Sequence, residues 1–198
     1  MLAHGSPKSV YIGGGGELAT ARETLRWKTV EKVVMVDIDE IVVNVCKEQL
    51  PEWNDGCVED PRLEVHYDDA KGFLERYEGK FDVIIMDIAD PIEEFYDFAI
   101  SKLNPGGVFV TQSGPGSFLV VDECGTVIHQ TLKGAFQHVA HYAADVPSFG
   151  SNWGFNVAYN DDCAIAKSSS AAGRDPALYF LEAPLKEIDD ALEQNLKG

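Results

Sequence analysis

The sequence is short of basic residues and of long apolar runs. Lysine and arginine number 16 of 198 residues against 33 aspartates and glutamates, so the formal net charge is −17 at pH 7. This argues against nucleic acid or an anionic membrane face as partner, because both are bound through dense positive charge. It favours cationic ligands, which an acidic cleft would attract, although net acidity can also serve only to keep a protein soluble.

Cysteine is scarce, and its positions carry no metal or disulfide pattern. Cys46, Cys57, Cys124 and Cys163 form no Cys-x-x-Cys pair, and the five histidines show no ligand spacing either. No apolar stretch approaches the length of a membrane span, and the N-terminus lacks a signal-peptide core. We therefore expect a cytoplasmic protein with no metal site, no membrane partner and no tightly bound cofactor.

Short apolar runs alternate with segments of helical periodicity. The runs that predict strands are 10–12, 32–36, 63–66, 81–86, 108–111, 139–143 and 155–159. The segments that predict helices include 17–27, 94–103 and 119–136, with shorter helices after Asp39 and around 73–74. This order predicts an α/β fold, a Rossmann-like domain of the methyltransferase type, with a mostly parallel seven-stranded sheet and helices on both faces.

The composition changes after residue 160. Residues 167–173 are rich in serine, alanine and glycine and resemble a linker, and 184–196 could form an amphipathic helix. We therefore divide the chain into a main domain over 1–160 and a C-terminal extension over 161–198.

A glycine run and an acidic residue follow the first two predicted strands. Gly13 to Gly16 would let backbone amides approach a ligand at a helix N-terminus, although an ordinary tight turn has the same pattern. Asp37 ends the second strand about twenty residues later, where an acidic group commonly binds the hydroxyls of a ribose. Its alternative role as a helix cap is already supplied by Asp39. Together they indicate an adenosine-type ligand.

Glu17 narrows the identity of that ligand. It follows the glycines directly, where it would repel a pyrophosphate, and Ala19 replaces the last glycine of the dinucleotide pattern. The same carboxylate would repel the carboxylate of S-adenosylmethionine but attract an amine. The sequence thus indicates an adenosyl compound with a purely cationic tail.

Two further strand ends supply candidate catalytic and binding residues. Asp87 and Asp90 end the fourth strand, where one acid of a like-charged pair could serve as general base or, alternatively, cap the next helix. Gln112 ends the fifth strand, and Phe149 and Trp153 could line an alkyl chain, favour a cation or simply pack at the sheet edge.

Several of these segments together resemble the polyamine aminopropyltransferases, the family of the spermidine, spermine and thermospermine synthases. The segments that carry this resemblance are Ile12–Glu23, Val33–Asp39, Asp87–Pro91 and Val146–Phe149. The similarity runs from about residue 7 to 159. The motifs that look nearest to thermospermine synthases are Asp87–Asp90, Gln112–Pro115 and Pro147–Phe149.

The resemblance implies a function and a set of roles. Residues 1–160 would form the catalytic domain, which moves the aminopropyl group of decarboxylated S-adenosylmethionine to spermidine, giving thermospermine or spermine, and releases methylthioadenosine. Asp87 would accept a proton from the attacking amine, and a small polycationic amine and a second copy in a homodimer would be the partners. The residues implied to bind the nucleoside are Gly14, Gly15, Gly16, Glu17, Asp37, Ile38, Asp69 and Ala70. Those implied to bind the polyamine are Asp90, Gln112, Phe149 and Trp153.

The chain departs from the family pattern at three places. Leu18 stands where the family usually has glycine, and the loop between Pro91 and Glu94 is shorter than the family's. The family's N-terminal β-rich domain is expected to be absent. The alternatives are a spermidine synthase that acts on putrescine, an S-adenosylmethionine-dependent methyltransferase, and a non-catalytic nucleoside- or polyamine-binding protein.

Overall fold

The computed structural model describes residues 1–88, 93–115 and 125–171. In these ranges the strands are β1 Ser9–Gly14, β2 Lys32–Asp37, β3 Leu63–Tyr67, β4 Phe81–Asp87, β5 Leu103–Pro115, β6 His138–Val146 and β7 Ser151–Tyr159. The helices are α1 Ala19–Leu25, α2 Glu40–Gln49, α3 Pro51–Asn54, α4 Ala70–Arg76, α5 Glu93–Ser101, α6 Gly125–Ala135 and α7 Ala164–Ala171. None of the helices described here is both long enough and apolar enough to cross a membrane.

One sheet carries the fold, in the order β3-β2-β1-β4-β5-β7-β6. Strands β1 to β5 pair in parallel, and β7 pairs antiparallel with both β5 and β6. The predicted mostly parallel, seven-stranded sheet is confirmed. Because the chain moves outward from β1 to β3 and then returns to β4, the strand order reverses between β1 and β4. In open α/β sheets, ligands bind at the carboxyl ends of the strands beside such a reversal.

Helices cover both faces of the sheet. Successive side chains of a strand point to opposite faces, so apolar side chains on both faces need to be covered. Val10 and Ile12 face the core under α1 and α7, where Leu18 and Ala21 are fully buried. Tyr11, between them in β1, faces the core under α4, α5 and α6. The central strands are therefore apolar on both faces, as their sequence predicts.

Strand β5 differs from the sequence-based expectation. The strand predicted over 108–111 extends over Leu103–Pro115. It includes Gly106, which has φ +79°, and its pairing with β4 shifts register between Phe81 and Val83. A glycine in a left-handed conformation lets a strand absorb such an irregularity without ending. Helix α6 is described from Gly125, and the earlier part of the helix predicted over 119–136 lies outside the described residues.

The segment interpreted as a linker is helical as far as the structure describes it. Helix α7 covers Ala164–Ala171, and Cys163 and Ala166 are buried in the core with α1. The Cys163 Sγ lies 3.2 Å from the carbonyl oxygen of Ala3, so these small residues permit close packing on the sheet. Residues 167–171 of the segment interpreted as a linker over 167–173 are therefore helical, and the remainder of that segment and the helix predicted over 184–196 lie outside the described residues.

Candidate active site

The glycine turn lies directly beside Asp87. Gly14 pairs with Asp87 across β1 and β4, and a Cβ atom on Gly14 would lie 2.8 Å from the Asp87 carbonyl oxygen. Gly14 and Gly15 have φ of +87° and +81°, a backbone conformation that favours glycine. Any side chain at Gly14 would therefore displace the strand end that carries Asp87.

Asp37 lies on the other side of the same turn. A Cβ atom on Gly16 would lie 2.9 Å from Asp37 Oδ2, so the absence of a side chain makes room for this carboxylate. Asp39 Oδ1 accepts hydrogen bonds from the backbone amides of Ile41 and Val42, which confirms Asp39 as the cap of α2. Asp37 Oδ1 accepts a hydrogen bond from the backbone amide of Asp39 at 2.9 Å, while Asp37 Oδ2 lies beside Gly16.

The start of α4 completes this end of the sheet. The backbone amide of Asp68 donates to the Asp37 carbonyl oxygen at 3.1 Å, and the Asp69 carboxylate caps α4 by accepting from Gly72 N at 2.8 Å. Ala70 is buried against Gly13, whose Cβ atom, if present, would lie 3.2 Å from that of Ala70. Ile38, with 79% of its surface exposed, is available to contact a planar or apolar group. The carboxyl ends of β1, β2 and β3 thus meet around one recess.

The carboxyl group of Asp87 has a raised pKa. Asp87 is an exposed residue, but its carboxyl group lies in a recess whose walls remove much of its hydration. This desolvation is the main cause of the shift, and the negative charges of Glu17 and Asp37 add to it. The sequence suggested Asp90 as the like-charged neighbour, but Asp90 lies outside the described residues.

Three residues predicted to bind a polyamine lie together at the ends of β5 and β7. Trp153 Nε1 donates a hydrogen bond to Gln112 Oε1 at 2.5 Å, and the Phe149 and Trp153 ring centroids are 4.4 Å apart. Phe149 has 57% of its surface exposed, and Trp153 is half-buried. The group therefore combines an amide with an open aromatic surface.

A cavity of about 380 Å³ connects Gln112 with Asp87. Its walls are mainly apolar and include Trp27, Tyr142 and Phe155, which the sequence analysis did not assign to the site. Tyr142 and Phe155 are register partners in β6 and β7, and their rings stack at a centroid distance of 5.3 Å. Only the pairing of these two strands, which the sequence does not give, would have identified them.

No group of three or more histidine, cysteine, aspartate or glutamate side chains in the described part of the chain could hold a metal ion. Among the histidines, His129 Nδ1 lies 3.0 Å from Asn156 Oδ1, and His138 Nε2 lies 2.6 Å from Asp161 Oδ1. These two histidines therefore contact polar side chains within the fold.

Comparison with known proteins assigns the family. Residues 1–168 match the spermine/spermidine synthase domain. A polyamine aminopropyltransferase of Aeropyrum pernix is 48% identical, over 81% of this chain and 54% of that protein. Thermospermine synthase ACAULIS5 of Arabidopsis thaliana is 43% identical, over 80% of this chain and 50% of that protein.

Solved structures agree with this assignment. The crystal structure of spermidine synthase from Thermotoga maritima superposes with a TM-score of 0.72 at 26% identity, over 79% of this chain and 54% of that one. A spermidine synthase in complex with the transition-state analogue AdoDATO matches with the same values. The chain spans about half the length of these relatives. The chain belongs to the spermine/spermidine synthase family.

Proposed function

We propose that this chain is the catalytic domain of a polyamine aminopropyltransferase. It transfers the aminopropyl group of decarboxylated S-adenosylmethionine to a polyamine and releases methylthioadenosine. The observation that carries the proposal is the position of Asp87. This carboxylate, with its raised pKa, lies between the glycine turn and the cavity that leads to Gln112.

The donor binds at the carboxyl ends of β1, β2 and β3. Asp37 accepts hydrogen bonds from the ribose hydroxyls, and Ile38, Asp69 and Ala70 surround the adenine. The amides of Gly14, Gly15 and Gly16 approach the nucleoside closely, because no side chain intervenes. The Glu17 carboxylate attracts the terminal amine of the aminopropyl group, which favours the decarboxylated donor.

The reaction is a displacement at carbon. The attacking amine nitrogen forms a bond to the aminopropyl carbon next to the sulfonium, and the carbon–sulfur bond breaks with its electron pair remaining on sulfur. The nitrogen then loses its extra proton to the Asp87 carboxylate. Sulfonium is a good leaving group, so the protein mainly aligns the reactants, with the attacking amine in its neutral form, and accepts the proton that the nitrogen releases. The raised pKa of Asp87 makes it a stronger base than an ordinary aspartate.

The acceptor lies between Asp87 and the group of Gln112, Phe149 and Trp153. The apolar walls of the cavity suit the methylene segments of a polyamine, and the aromatic faces and the Gln112 amide suit its amines. We propose spermidine as acceptor, since a thermospermine synthase is among the relatives at 43% identity. The protein would act in the cytoplasm as a homodimer.

The test is a transfer assay with the full chain. Decarboxylated S-adenosylmethionine is incubated separately with putrescine, spermidine or spermine, and methylthioadenosine and the new amine are measured by mass spectrometry. We expect product from spermidine, and Asp87→Asn should abolish transfer while nucleoside binding stays nearly intact. Product from putrescine alone would identify a spermidine synthase instead. Nucleoside binding without any transfer would contradict an enzymatic role and favour a binding protein.

A further inference from the structure

Tyr11 joins the central strand to the start of α4 through a buried hydrogen bond. Its hydroxyl donates to the Ala70 carbonyl oxygen at 2.5 Å, although the two residues are 59 positions apart. Tyr11 is fully buried, and its ring centroid lies 5.3 Å from that of Phe81. A phenylalanine ring would fill the same apolar space, so packing alone does not explain the hydroxyl group.

The hydroxyl remains a hydrogen-bond donor at every pH at which the protein would work. Burial of the phenol raises its pKa far above its ordinary value, and the negative charges of Asp69 and Asp68 contribute further. A buried hydroxyl without a partner would be costly, so the bond to Ala70 fixes the distance between β1 and α4.

The segment held in this way is the one expected to contact the adenine. Ala70 is the first residue of α4, where backbone amides have no acceptor within the helix. Asp69 uses one carboxylate oxygen to cap Gly72, which orients the other. A carboxylate oxygen next to an amide donor complements adenine, whose exocyclic amine donates and whose neighbouring ring nitrogen accepts. Hypoxanthine reverses both groups and would be rejected.

We propose that Tyr11 is a positioning residue that sets the base specificity of the nucleoside site. The inference rests on the proposed function, because it assumes that adenine lies against Asp69 and Ala70. The Tyr11 hydroxyl does not touch the ligand. It binds the Ala70 carbonyl oxygen, while the Ala70 Cβ atom packs beside Gly13, so that the donor and the acceptor keep the spacing of the adenine edge.

The test compares the binding of methylthioadenosine and methylthioinosine to the wild type and to Tyr11→Phe by isothermal titration calorimetry. Tyr11→Phe keeps the ring and removes one buried hydrogen bond, so we expect it to fold. Methylthioadenosine should bind about threefold to tenfold more weakly, and the preference for it over methylthioinosine should shrink by a similar factor. Tyr77→Phe is the matched control, since Tyr77 lies in the same row of aromatic rings, 4.9 Å from Phe81. It should leave the preference unchanged.

Three outcomes would overturn the inference. If Tyr11→Phe bound methylthioadenosine as tightly as the wild type and kept the same preference over methylthioinosine, the hydroxyl would not position the site. An equal loss for both nucleosides, with the preference intact, would show that Tyr11 has only a structural role. A folded wild-type chain that binds no methylthioadenosine would overturn the proposed function itself, and with it the role of Tyr11.

Discussion

Glu17 and Asp87 are far apart in sequence, but the negative charge of Glu17 acts on Asp87 across the glycine turn. Glu17 follows the turn after β1, and Asp87 ends β4 beside Gly14. Desolvation opposes the ionised form of Asp87 most strongly, and Glu17 and Asp37 oppose it further. Each residue could be predicted from the sequence as a strand-end carboxylate. Their effect on one pKa depends on which strands are neighbours, and the sequence does not state that.

Glu17→Gln should lower the pKa of Asp87, because it removes a negative charge and keeps the shape of the side chain. An acid with a raised pKa is still protonated at pH values where an ordinary aspartate is ionised. Because transfer needs the ionised carboxylate, the wild type should lose activity as pH falls through the raised pKa of Asp87. Glu17→Gln, in which this pKa is lower, should lose activity only at a lower pH. The shift in the pKa of Asp87 can be measured from the acidic limb of the pH profile of kcat/KM for the amine, or by NMR of the Asp87 carboxyl carbon.

A surface carboxylate provides the control for Glu17→Gln. Glu64 pairs with Lys32 at 3.0 Å on β3, away from Asp87, so Glu64→Gln should leave the Asp87 titration unchanged. An unchanged or raised pKa of Asp87 in Glu17→Gln would contradict the electrostatic account.

Leu18 combines an unfavourable backbone conformation with complete burial. Its φ is +71°, and none of its surface is exposed. Leu18→Gly would relieve roughly 1–2 kcal/mol of left-handed strain but would lose a core side chain worth about 2–5 kcal/mol. We expect the free energy of unfolding to fall by about 1–3 kcal/mol in urea denaturation. Burial of the leucine side chain therefore outweighs the cost of the left-handed backbone conformation at this position, where glycine is usual in the family.

Asp55→Gly is the matched control for Leu18→Gly. Asp55 also has a positive φ, +44°, but it is exposed at the end of α3. Because Asp55→Gly removes no buried side chain, its free energy of unfolding should stay within about 1 kcal/mol of the wild-type value. A Leu18→Gly variant as stable as the wild type would show that burial of Leu18 contributes little.

At the scale of the elements, Arg62 holds the end of α1 to the start of β3. Its guanidinium donates to the carbonyl oxygens of Leu25 at 2.7 Å and Val30 at 2.8 Å, and it pairs with Asp60 at 2.6 Å. The Arg62 and Asp60 side chains are only 17% and 20% exposed. One side chain thus satisfies carbonyl groups that the helix and the following turn leave unpaired.

Arg62→Met should lower the free energy of unfolding by about 2–4 kcal/mol, because it removes the guanidinium that donates to the Asp60 carboxylate and to these carbonyls. Urea denaturation monitored by circular dichroism measures the change. Arg76→Met removes an equally short pair, Arg76–Asp68 at 2.6 Å, but its side chains are 63% and 42% exposed. That control should cost at most about 1 kcal/mol. Equal losses in the two variants would contradict the account of Arg62.

The helices and strands also differed in how well they could be predicted from the sequence. The β4 strand was predicted closely because its apolar run is continuous and ends at a charged residue, Asp87. Helix α7 was missed because its serines and alanines have the composition of a linker, and only the burial of Cys163 and Ala166 shows that the segment packs. Local composition therefore identifies buried strands well, but it does not reveal which small residues pack on a distant surface.

At the scale of the whole molecule, the sheet order explains why residues far apart in sequence form one site. Asp37 and Asp87 lie 50 residues apart, yet β2 and β4 both neighbour β1, so their ends flank the same glycine turn. The alternation of strands and helices was sufficient to predict a parallel sheet, in which these strand ends lie at one edge. The apolar cavity could not be predicted, because its walls come from residues 1–3, α1 and the turn after it, β4, β5, β6 and β7, which only the folded chain brings together.

The net charge of −17 agrees with a site that attracts cations, and the central claim is that the donor itself has a purely cationic tail. The most direct test is to compare the affinities for decarboxylated S-adenosylmethionine and S-adenosylmethionine by isothermal titration calorimetry. We predict tighter binding of the decarboxylated compound and a smaller preference in Glu17→Gln, because the Glu17 carboxylate attracts the amine and repels the carboxylate. Equal or tighter binding of S-adenosylmethionine would contradict the account and indicate a methyltransferase.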